Sequence, residues 1–340
     1  MVHSARSLAA AFASLVLMSS GDAFAADLPV KAPAAAAEAP FFFVNDNRLT
    51  YAYAFTGSYP GLANQTASQV AAFTHFDAWA YGTNLINLQL IEYDHATPVS
   101  PCPVLQRTGC SGATEFYGLI RSTFGFNQIF NTQAFSIGPL HNVSFEVGVD
   151  GEAMNTLLAP NKKAVVAGLQ FAFDLPYKGF FNVAPLLYKE TNHNAFLTPA
   201  FIAGAGIVDG VLDYRPTWAV EVNYYMDLGF LPPQLQYFAI SGRAGWYGPK
   251  GTGTTTAQAP LAAQPPTAIE LNSEPIRLTF DASKAAWGPK YSHFVDLWVA
   301  YRYWQNKFGL DHNVHPACVA PATNRSCTES SLYSGITVKF

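Results

Sequence analysis

Charged residues are scarce in this sequence. Asp, Glu, Lys and Arg together make up 12% of its 340 residues, about half the share found in an average soluble protein. Long apolar stretches are also missing: no run of 18 apolar residues occurs, which excludes a transmembrane helix. The net charge of −4 argues against a nucleic-acid partner, because proteins that bind nucleic acids carry basic faces.

Signals for cofactors and metals are weak. The Gly-rich segment 248–253 lacks the Gly-Lys-Ser/Thr ending of a phosphate-binding loop. His312, His315 and Cys318 have the spacing of metal ligands, but we interpret them as part of a surface loop in which Cys318 is committed to a disulfide. We therefore expect no cofactor and no metal.

Alternation of apolar and polar residues is the strongest pattern that the sequence does contain. It runs through residues 142–150 and again through residues 165–174. A period of two predicts strands with one apolar face. In a soluble sandwich a second layer would cover that face, whereas a membrane barrel would turn it to lipid. The aromatic content of 14%, together with the missing helical span, favours the barrel.

The end of the chain points the same way. Leu332, Ile336 and Val338 alternate with polar or small residues, and the sequence stops on Phe340. A last strand that ends on an aromatic residue resembles the closing strand of Gram-negative outer-membrane barrels. We therefore expect the protein to be located in the outer membrane.

The whole chain divides into twelve candidate strands. An even number places both termini on one side of the membrane. Connections after even-numbered strands are mostly short and those after odd-numbered strands are long, which is typical of short periplasmic turns and long outer loops. The predicted strands cover approximately residues 49–55, 70–79, 84–93, 114–122, 142–150, 165–174, 180–190, 217–224, 235–246, 276–281, 295–303 and 332–340.

The first 40 residues are not expected to belong to the barrel. Residues 1–25 have the charged start, the apolar run and the Ala-x-Ala ending of a secretory signal peptide. Residues 26–40 are rich in Ala and Pro and are interpreted as a periplasmic lead-in to a barrel over residues 41–340. In an oxidising compartment the four cysteines allow three pairings, of which adjacency favours Cys102–Cys110 and Cys318–Cys327.

One short motif connects the chain to a known family. Residues 74–84 read THFDAWAYGTN and resemble the T-H-x-x-x-W-x-Y-G-D-N stretch of Tsx-like outer-membrane channels, with Thr83 in place of the usual Asp. The resemblance implies a twelve-stranded barrel with a narrow pore and nucleosides as solutes. Outer-membrane lipids are the expected surroundings, and the outer loops are candidate receptors for phages or colicins. The motif also implies pore positions for His75 and Trp79, together with the neighbouring Phe73.

The polar faces of the strands predict the lining of the pore. Charged groups of both signs, with aromatic rings between them, would suit a neutral aromatic solute that carries hydroxyls. The alternative is that the charges pair with one another and only hold the wall together. The candidate solute-binding residues are Phe73, His75, Asp77, Trp79, Glu115, Tyr117, Arg121, Glu146, Asp150, Arg243, Asp296, Trp298 and Arg302.

Two other functions are open on the sequence. A general porin or a purely structural barrel would share the alternation. A lipid-acting enzyme would resemble the outer-membrane phospholipase, which also has twelve strands, and would use His75 with Asp77 and Ser144 or Ser241. The catalytic histidine of that family is followed by Ser-Asn-Gly, whereas His75 is followed by Phe-Asp-Ala. We therefore expect a channel and not an enzyme.

Overall fold

The computed structural model describes residues 40–61, 65–94, 112–155, 161–193, 211–251, 267–319 and 325–340. The chain from Phe41 to Phe340 forms one compact unit. None of the helices in these ranges is long and apolar enough to cross a bilayer. Apart from Pro40, the predicted signal peptide and lead-in lie outside the described residues, and so do Cys102 and Cys110.

Antiparallel strands make up most of the described residues of this unit. The short α-helices are α1 Phe126–Ile129, α2 Ala282–Trp287 and α3 Pro316–Val319, and single 3-10 turns cover Pro233–Leu235, Pro289–Tyr291 and Lys307–Gly309. The strands are β1 Phe42–Gly57, β2 Thr66–Trp79, β3 Gly82–Tyr93, β4 Thr114–Gly125, β5 Leu140–Met154, β6 Asn161–Leu175, β7 Gly179–His193, β8 Val211–Asp213, β9 Thr217–Asp227, β10 Phe238–Tyr247, β11 Glu270–Asp281, β12 Val295–Gln305 and β13 Thr328–Lys339.

Twelve of these strands close into a barrel. Their order is β6-β5-β4-β3-β2-β1-β13-β12-β11-β10-β9-β7, and pairing of β6 with β7 joins the two ends. The three-residue β8 pairs with the last residues of β7, beyond the part of β7 that pairs with β9, so it extends the position of β9. The prediction of an antiparallel twelve-stranded barrel is confirmed.

The two ends of the barrel differ in the length of their connections. The start of β1 and the end of β13 lie at one end of the barrel, where residues 80–81 join β2 to β3 and residues 176–178 join β6 to β7. We call this the short-loop end, although residues 126–139 between β4 and β5 are longer and contain α1. At the opposite, long-loop end, residues 94–113 follow β3 and residues 248–269 follow β10. This is the alternation that the sequence predicted.

Pro185 lies in the middle of β7 without ending the strand. The pairing of β7 with β6 is interrupted at this residue. Gly168 pairs with Leu186 and Phe171 pairs with Val183, but the residues between them form no pairs across these two strands. A proline has no N–H to contribute to the ladder, and strands tolerate it where the ladder is irregular. The interruption therefore explains how β7 continues through this residue.

A contact across the barrel fixes which face is inside. Arg121 on β4 hydrogen-bonds Glu221 on β9 at 3.0 and 2.7 Å, although three strands separate β4 from β9 in the sheet order. Directly paired residues of antiparallel strands point to the same side. Starting from Arg121, the strand pairing therefore identifies the inward-facing residues of every strand in the barrel. The opposite, outer face is apolar. It presents the exposed side chains of Leu49, Tyr51, Leu88, Leu90, Phe116, Ile120, Phe145, Val149, Val165, Leu169, Trp218, Ile276, Leu278, Leu297, Val299, Leu332 and Ile336.

A small apolar core closes part of the long-loop end. Tyr59, Phe308 and Leu310 are buried there against the disulfide between Cys318 and Cys327, whose Cα atoms are 5.3 Å apart. The predicted Cys318–Cys327 pairing is confirmed. The bridge therefore connects the loop after β12 to the start of β13.

Candidate functional site on the inner wall

Arg121 forms the central contact of the inner wall. Its guanidinium donates to Glu221 through two nitrogens and to Asp150 on β5 through a third, at 2.6 Å. Glu146 lies 3.8 Å away on the same strand as Asp150. A planar guanidinium suits such bidentate pairing. Because the bridge links β4 to β9 across the lumen, it narrows the pore at this height.

Tyrosine side chains surround this bridge. The hydroxyl of Tyr247 on β10 donates to Glu221 at 3.2 Å, and the Tyr247 ring lies 4.9 Å from that of Tyr188 on β7. Tyr188 is itself buried and donates to Glu190 at 2.5 Å. The inner wall therefore combines charged groups with aromatic rings, as the polar faces of the strands predicted.

Two buried lysines neutralise carboxylates towards the long-loop end. Lys250, just beyond β10, lies 2.7 Å from Glu190 and 3.6 Å from Glu270. Lys307, just beyond β12, donates to Glu329 and to the backbone oxygen of Ser58 at 2.5 Å. Burial lowers the pKa of Lys307, because a low dielectric disfavours the charged form. These pairs tie the loops to the rim of the barrel.

Trp298 forms an aromatic surface on β12. Its ring lies 3.9 Å below the guanidinium of Arg277 on β11, and its Nε1 donates to Thr337 on β13 at 3.0 Å. Arg277 also makes two hydrogen bonds to Glu274, at 2.6 and 3.2 Å. Cation–π stacking of this kind fixes both side chains against the wall.

His293 occupies the short-loop mouth of the lumen. Its Nδ1 lies 3.0 and 3.2 Å from the two oxygens of Asp296, and its Nε2 lies 3.1 Å from the hydroxyl of Tyr225 and 3.8 Å from Asp227. The hydrogen bond to Asp296 raises the pKa of His293 from its ordinary value of 6.5, against the opposing effect of burial. The mouth therefore holds an imidazole that is more basic than usual.

The side chains of Asp281, His293 and Asp296 come close enough to resemble a metal site, since their ligand atoms lie within 4.8 Å of one another. Asp281 already accepts hydrogen bonds from Ser283 and from the backbone N–H of Lys284, so it caps α2. Its second oxygen accepts from Ser292 and from the backbone of His293. The structure thus gives Asp281 a role in the loop that needs no metal.

Nine of the predicted pore residues lie on the inner face by strand pairing. Their contact with a solute is still a prediction. The nine are Glu115, Tyr117, Arg121, Glu146, Asp150, Arg243, Asp296, Trp298 and Arg302.

The other four predicted pore residues lie on the outer face, which corrects their expected position. Phe73 pairs with Leu49 and Leu88, and those two belong to the apolar exterior. His75, Asp77 and Trp79 follow at steps of two and share the face of Phe73. The inner positions of β2 are instead Val70, Ala72, Thr74 and Phe76. The error arises because polar residues on this one strand face outwards and mostly small or apolar ones face the lumen.

His75 and Asp77 belong to a polar cluster on the exterior, between the apolar band and the short-loop end. His75 lies 2.8 Å from Asn47 and 3.1 Å from Asp77. The second oxygen of Asp77 accepts from Asn84 at 2.8 Å, and Ser122 donates to Asn84 at 2.7 Å. Asp77 is 4% exposed. The cluster satisfies its own polar groups, as a wall in contact with lipid requires.

Trp79 belongs to an aromatic group at the same end. Its ring is stacked on Phe41 at 5.8 Å and meets Tyr81 and Phe124 edge-on at 5.4 and 6.2 Å. Aromatic rings of this kind gather at the interface between lipid and water. Trp79 is therefore placed as an interfacial anchor and not as a pore residue.

The serine hydrolase arrangement is not assembled. Ser144 pairs with Gln170 on the inner face, and Ser241 pairs with Arg277 there too. His75 and Asp77 lie on the opposite side of the wall, so neither serine shares a site with them.

Several inner-wall residues were missed from the sequence. Glu152 continues the parity of Asp150 on β5, and that parity was a usable signal. Glu190 lies two residues beyond Tyr188 on β7, where Pro185 obscured the pattern. Lys250 comes from a Gly-rich loop and reaches Glu190 only in the fold, so no sequence signal marked it.

The wall as a whole is apolar outside and charged inside, in a closed antiparallel barrel with short and long connections at opposite ends. This organisation is found in bacterial outer-membrane barrels. The barrel is of the outer-membrane type.

Comparisons with known proteins give structural neighbours only. No family description and no curated protein matches the sequence. Among solved structures, the COG4313 outer-membrane channel from Pseudomonas putida F1 is 9% identical, with a TM-score of 0.45, and covers 91% of this chain and 99% of its own. The KdgM porin in complex with disordered oligogalacturonate is 7% identical, with a TM-score of 0.37 and coverage of 86% and 99%. OccAB2 of Acinetobacter baumannii is 9% identical, with a TM-score of 0.30 and coverage of 89% and 99%.

Proposed function

We propose that this protein is a passive channel for small hydrophilic solutes in the outer membrane, with its short-loop end in the periplasm. The observation that carries the proposal is the bridge from Arg121 to Glu221, which crosses a lumen lined with charged and aromatic side chains. A purely structural barrel could pair its inner charges with one another, whereas the cation of Arg243 is exposed on this inner wall. Outer-membrane lipids would surround the apolar band, and the long loops would meet phages or colicins.

Nucleosides are the finer proposal, and they rest on the resemblance to Tsx-like channels. The structure weakens their support, because Phe73, His75 and Trp79 lie on the outer face. Tyr117 and Trp298 are the aromatic residues of the predicted set on the inner face. Trp298 is buried and covered by Arg277, so Tyr117 is the ring on which a base would stack. Nucleoside passage would therefore depend on Tyr117.

Conductance in planar lipid bilayers tests the channel. The full chain, refolded into detergent, should produce steps of ion current that an empty detergent control lacks. Adenosine and thymidine should reduce the current reversibly if nucleosides enter the lumen. Folded protein that never conducts would contradict the channel, and conduction that no nucleoside affects would contradict only the nucleoside proposal.

A matched pair of variants locates the solute within the lumen. Tyr117→Ala removes an inner ring and should weaken any nucleoside block, while Phe73→Ala removes an outer ring and should leave it unchanged. A stacked base gains about 1–3 kcal/mol from one aromatic side chain, which corresponds to roughly five-fold to a hundred-fold in affinity. The opposite result, with Phe73 as the sensitive position, would contradict the placement of these rings.

A further inference from the structure

One water-exposed cation lies on the inner face of each of five adjacent strands. The strands β10, β11, β12, β13 and β1 follow one another in the barrel. Pairing puts all five side chains on the face of Arg121. We call this set the basic arc; its members are Arg243, Arg277, Arg302, Lys339 and Arg48.

The inner carboxylates of the same strands are less exposed to solvent than these cations. Arg243 is exposed, and the side chains of the other four retain between 28% and 40% of their accessible surface. The inner carboxylates of these strands retain 12% or less, and they are Asp46, Glu270, Glu274, Asp281, Asp296 and Glu329. A solute on this side of the lumen therefore meets guanidinium and ammonium groups before it meets a carboxylate.

Two members of the basic arc are incompletely neutralised by carboxylates. The side chain of Arg243 makes no hydrogen bond or ion pair within the described part of the chain. Arg302 lies 3.6 Å from Glu329, which is already engaged by Lys307. Arg277 and Arg48 are paired with neighbouring carboxylates, but a guanidinium has five N–H donors, and both side chains still reach water.

The basic arc also extends along the height of the lumen. Lys339 pairs with Arg48 beside the short-loop end. Arg277 pairs with Ala300 further along the barrel, and Arg302 lies two residues beyond Ala300 towards the long-loop end. At about 3.3 Å per residue, the cations follow one another from one mouth towards the other.

The wall facing the solute from β2 and β3 is uncharged. Thr74 on β2 accepts a hydrogen bond from Asn87 on β3 at 2.8 Å, and Gln89 donates to Asn87 at 2.6 Å. These amides and hydroxyls suit the neutral part of a solute, while the basic arc suits a carboxylate or phosphate, which guanidinium groups bind in bidentate fashion.

We propose that the basic arc is the path by which organic anions bearing a carboxylate or phosphate move through this channel. The inference rests on the proposed channel function and specifies its solute class. Carboxylates are numerous on the inner wall too, but their buried and paired oxygens act on a passing solute from further away than the exposed cations, and Coulomb energy falls with distance.

The ion selectivity of the refolded full-length protein in a planar bilayer tests the proposal. In a potassium chloride gradient the reversal potential should show a preference for chloride. Arg243→Gln with Arg302→Gln should lower the ratio of chloride to potassium permeability by at least about five-fold, since even one unit charge at about 4 Å in water contributes roughly that factor. Arg243→Lys keeps the charge and should keep the preference. Lys163→Gln removes an exposed cation from the outer face of β6 and should change nothing.

The two proposals fail in different ways. Absence of any conductance from protein that shows a folded, heat-modifiable band would contradict the channel itself. Conductance with a preference for potassium in the unmodified protein would overturn the basic arc and leave the channel standing. Block of the current by glucuronate, and not by glucose, would support the arc, whereas equal block by both would contradict it.

Discussion

Leu49 on β1 lies directly opposite Phe73 on β2, and both line one apolar groove of about 520 Å³ on the outside of the barrel. The small side chain of Ala71 lies in this groove among larger ones such as Leu90 and Phe116. Paired residues share a face, so Phe73 lies on the outer face together with Leu49. His75 and Asp77 follow Phe73 at steps of two on β2, and their side chains therefore also face away from the lumen, opposite to the prediction.

The first prediction follows from that orientation. A cysteine placed at Phe73 should react with a lipid-soluble maleimide and resist a charged, water-soluble one, because its side chain lies in the apolar band. A cysteine at Thr74, one residue along and on the inner face, is the matched control and should react with the water-soluble reagent. Labelling of both positions by the water-soluble reagent would contradict the outer position of Phe73.

The second prediction concerns the bridge across the lumen. Arg121→Met should lower the free energy of unfolding by about 3–5 kcal/mol, because three carboxylates would lose their cation in a buried site. The same variant should raise the single-channel conductance, since the narrowing contact is gone. Urea unfolding and bilayer recordings check the two effects. Arg121→Lys keeps the charge and should lose less stability; equal loss in both variants would show that charge is not the cause.

The third prediction concerns the polar cluster on the exterior. Asp77→Ala should lower the free energy of unfolding by about 1–3 kcal/mol, because it leaves half-buried polar groups of His75 and Asn84 without their partner. Conductance should stay unchanged, since the cluster does not face the pore. Asn45→Ala, at an exposed position that bonds Asn47 at 3.0 Å, should change stability by less than about 0.5 kcal/mol. A changed conductance in Asp77→Ala would place this residue in the lumen after all.

The fourth prediction concerns pH at the short-loop mouth. Folding raises the pKa of His293, so the folded chain holds its proton more tightly than the unfolded chain does. The resulting stabilisation is complete below the ordinary value of 6.5 and is lost as pH rises through the raised folded value.

Urea unfolding at a series of pH values checks this sign. The stability of the unmodified protein should fall with rising pH by more than that of His293→Gln, which lacks the imidazole that holds the proton. His141→Gln is the control, because His141 lies exposed near the same end and pairs with Asp174 at 3.2 Å. If His293→Gln shows the same pH dependence as the unmodified protein, another group is responsible.

The fifth prediction concerns the disulfides. Reduction of the bridge between Cys318 and Cys327, which are nine residues apart, should cost up to roughly 3 kcal/mol by the chain-entropy relation. Cys318→Ser with Cys327→Ser should show the same loss without reductant. Mass mapping of non-reduced peptides should also find Cys102 joined to Cys110; free thiols at these two positions would contradict that pairing.

The sequence by itself determined the architecture of this protein. Alternation with a period of two gave the number and order of the barrel strands, and the spacing between them gave the short and long ends. On β4, β5 and β12 it also gave the inner face, because charged residues such as Arg121, Asp150 and Asp296 alternate there with large apolar ones. The adjacency of Cys318 and Cys327 was sufficient to predict their bridge.

Only the tertiary structure decided which way β2 faces and which loop residues reach the wall. Alternation within one strand shows which residues share a face. It does not show which face points into the lumen when both faces carry polar and apolar side chains. On β2, Phe73 and His75 share one face, and Thr74 and Phe76 share the other. The pairing of Phe73 with Leu49 and Leu88 identifies the outer face of β2, because the direction of a side chain is set by the neighbouring strands of the sheet. Lys250 meets Glu190 for a similar reason: sixty residues separate them, and closure of the barrel alone brings them together.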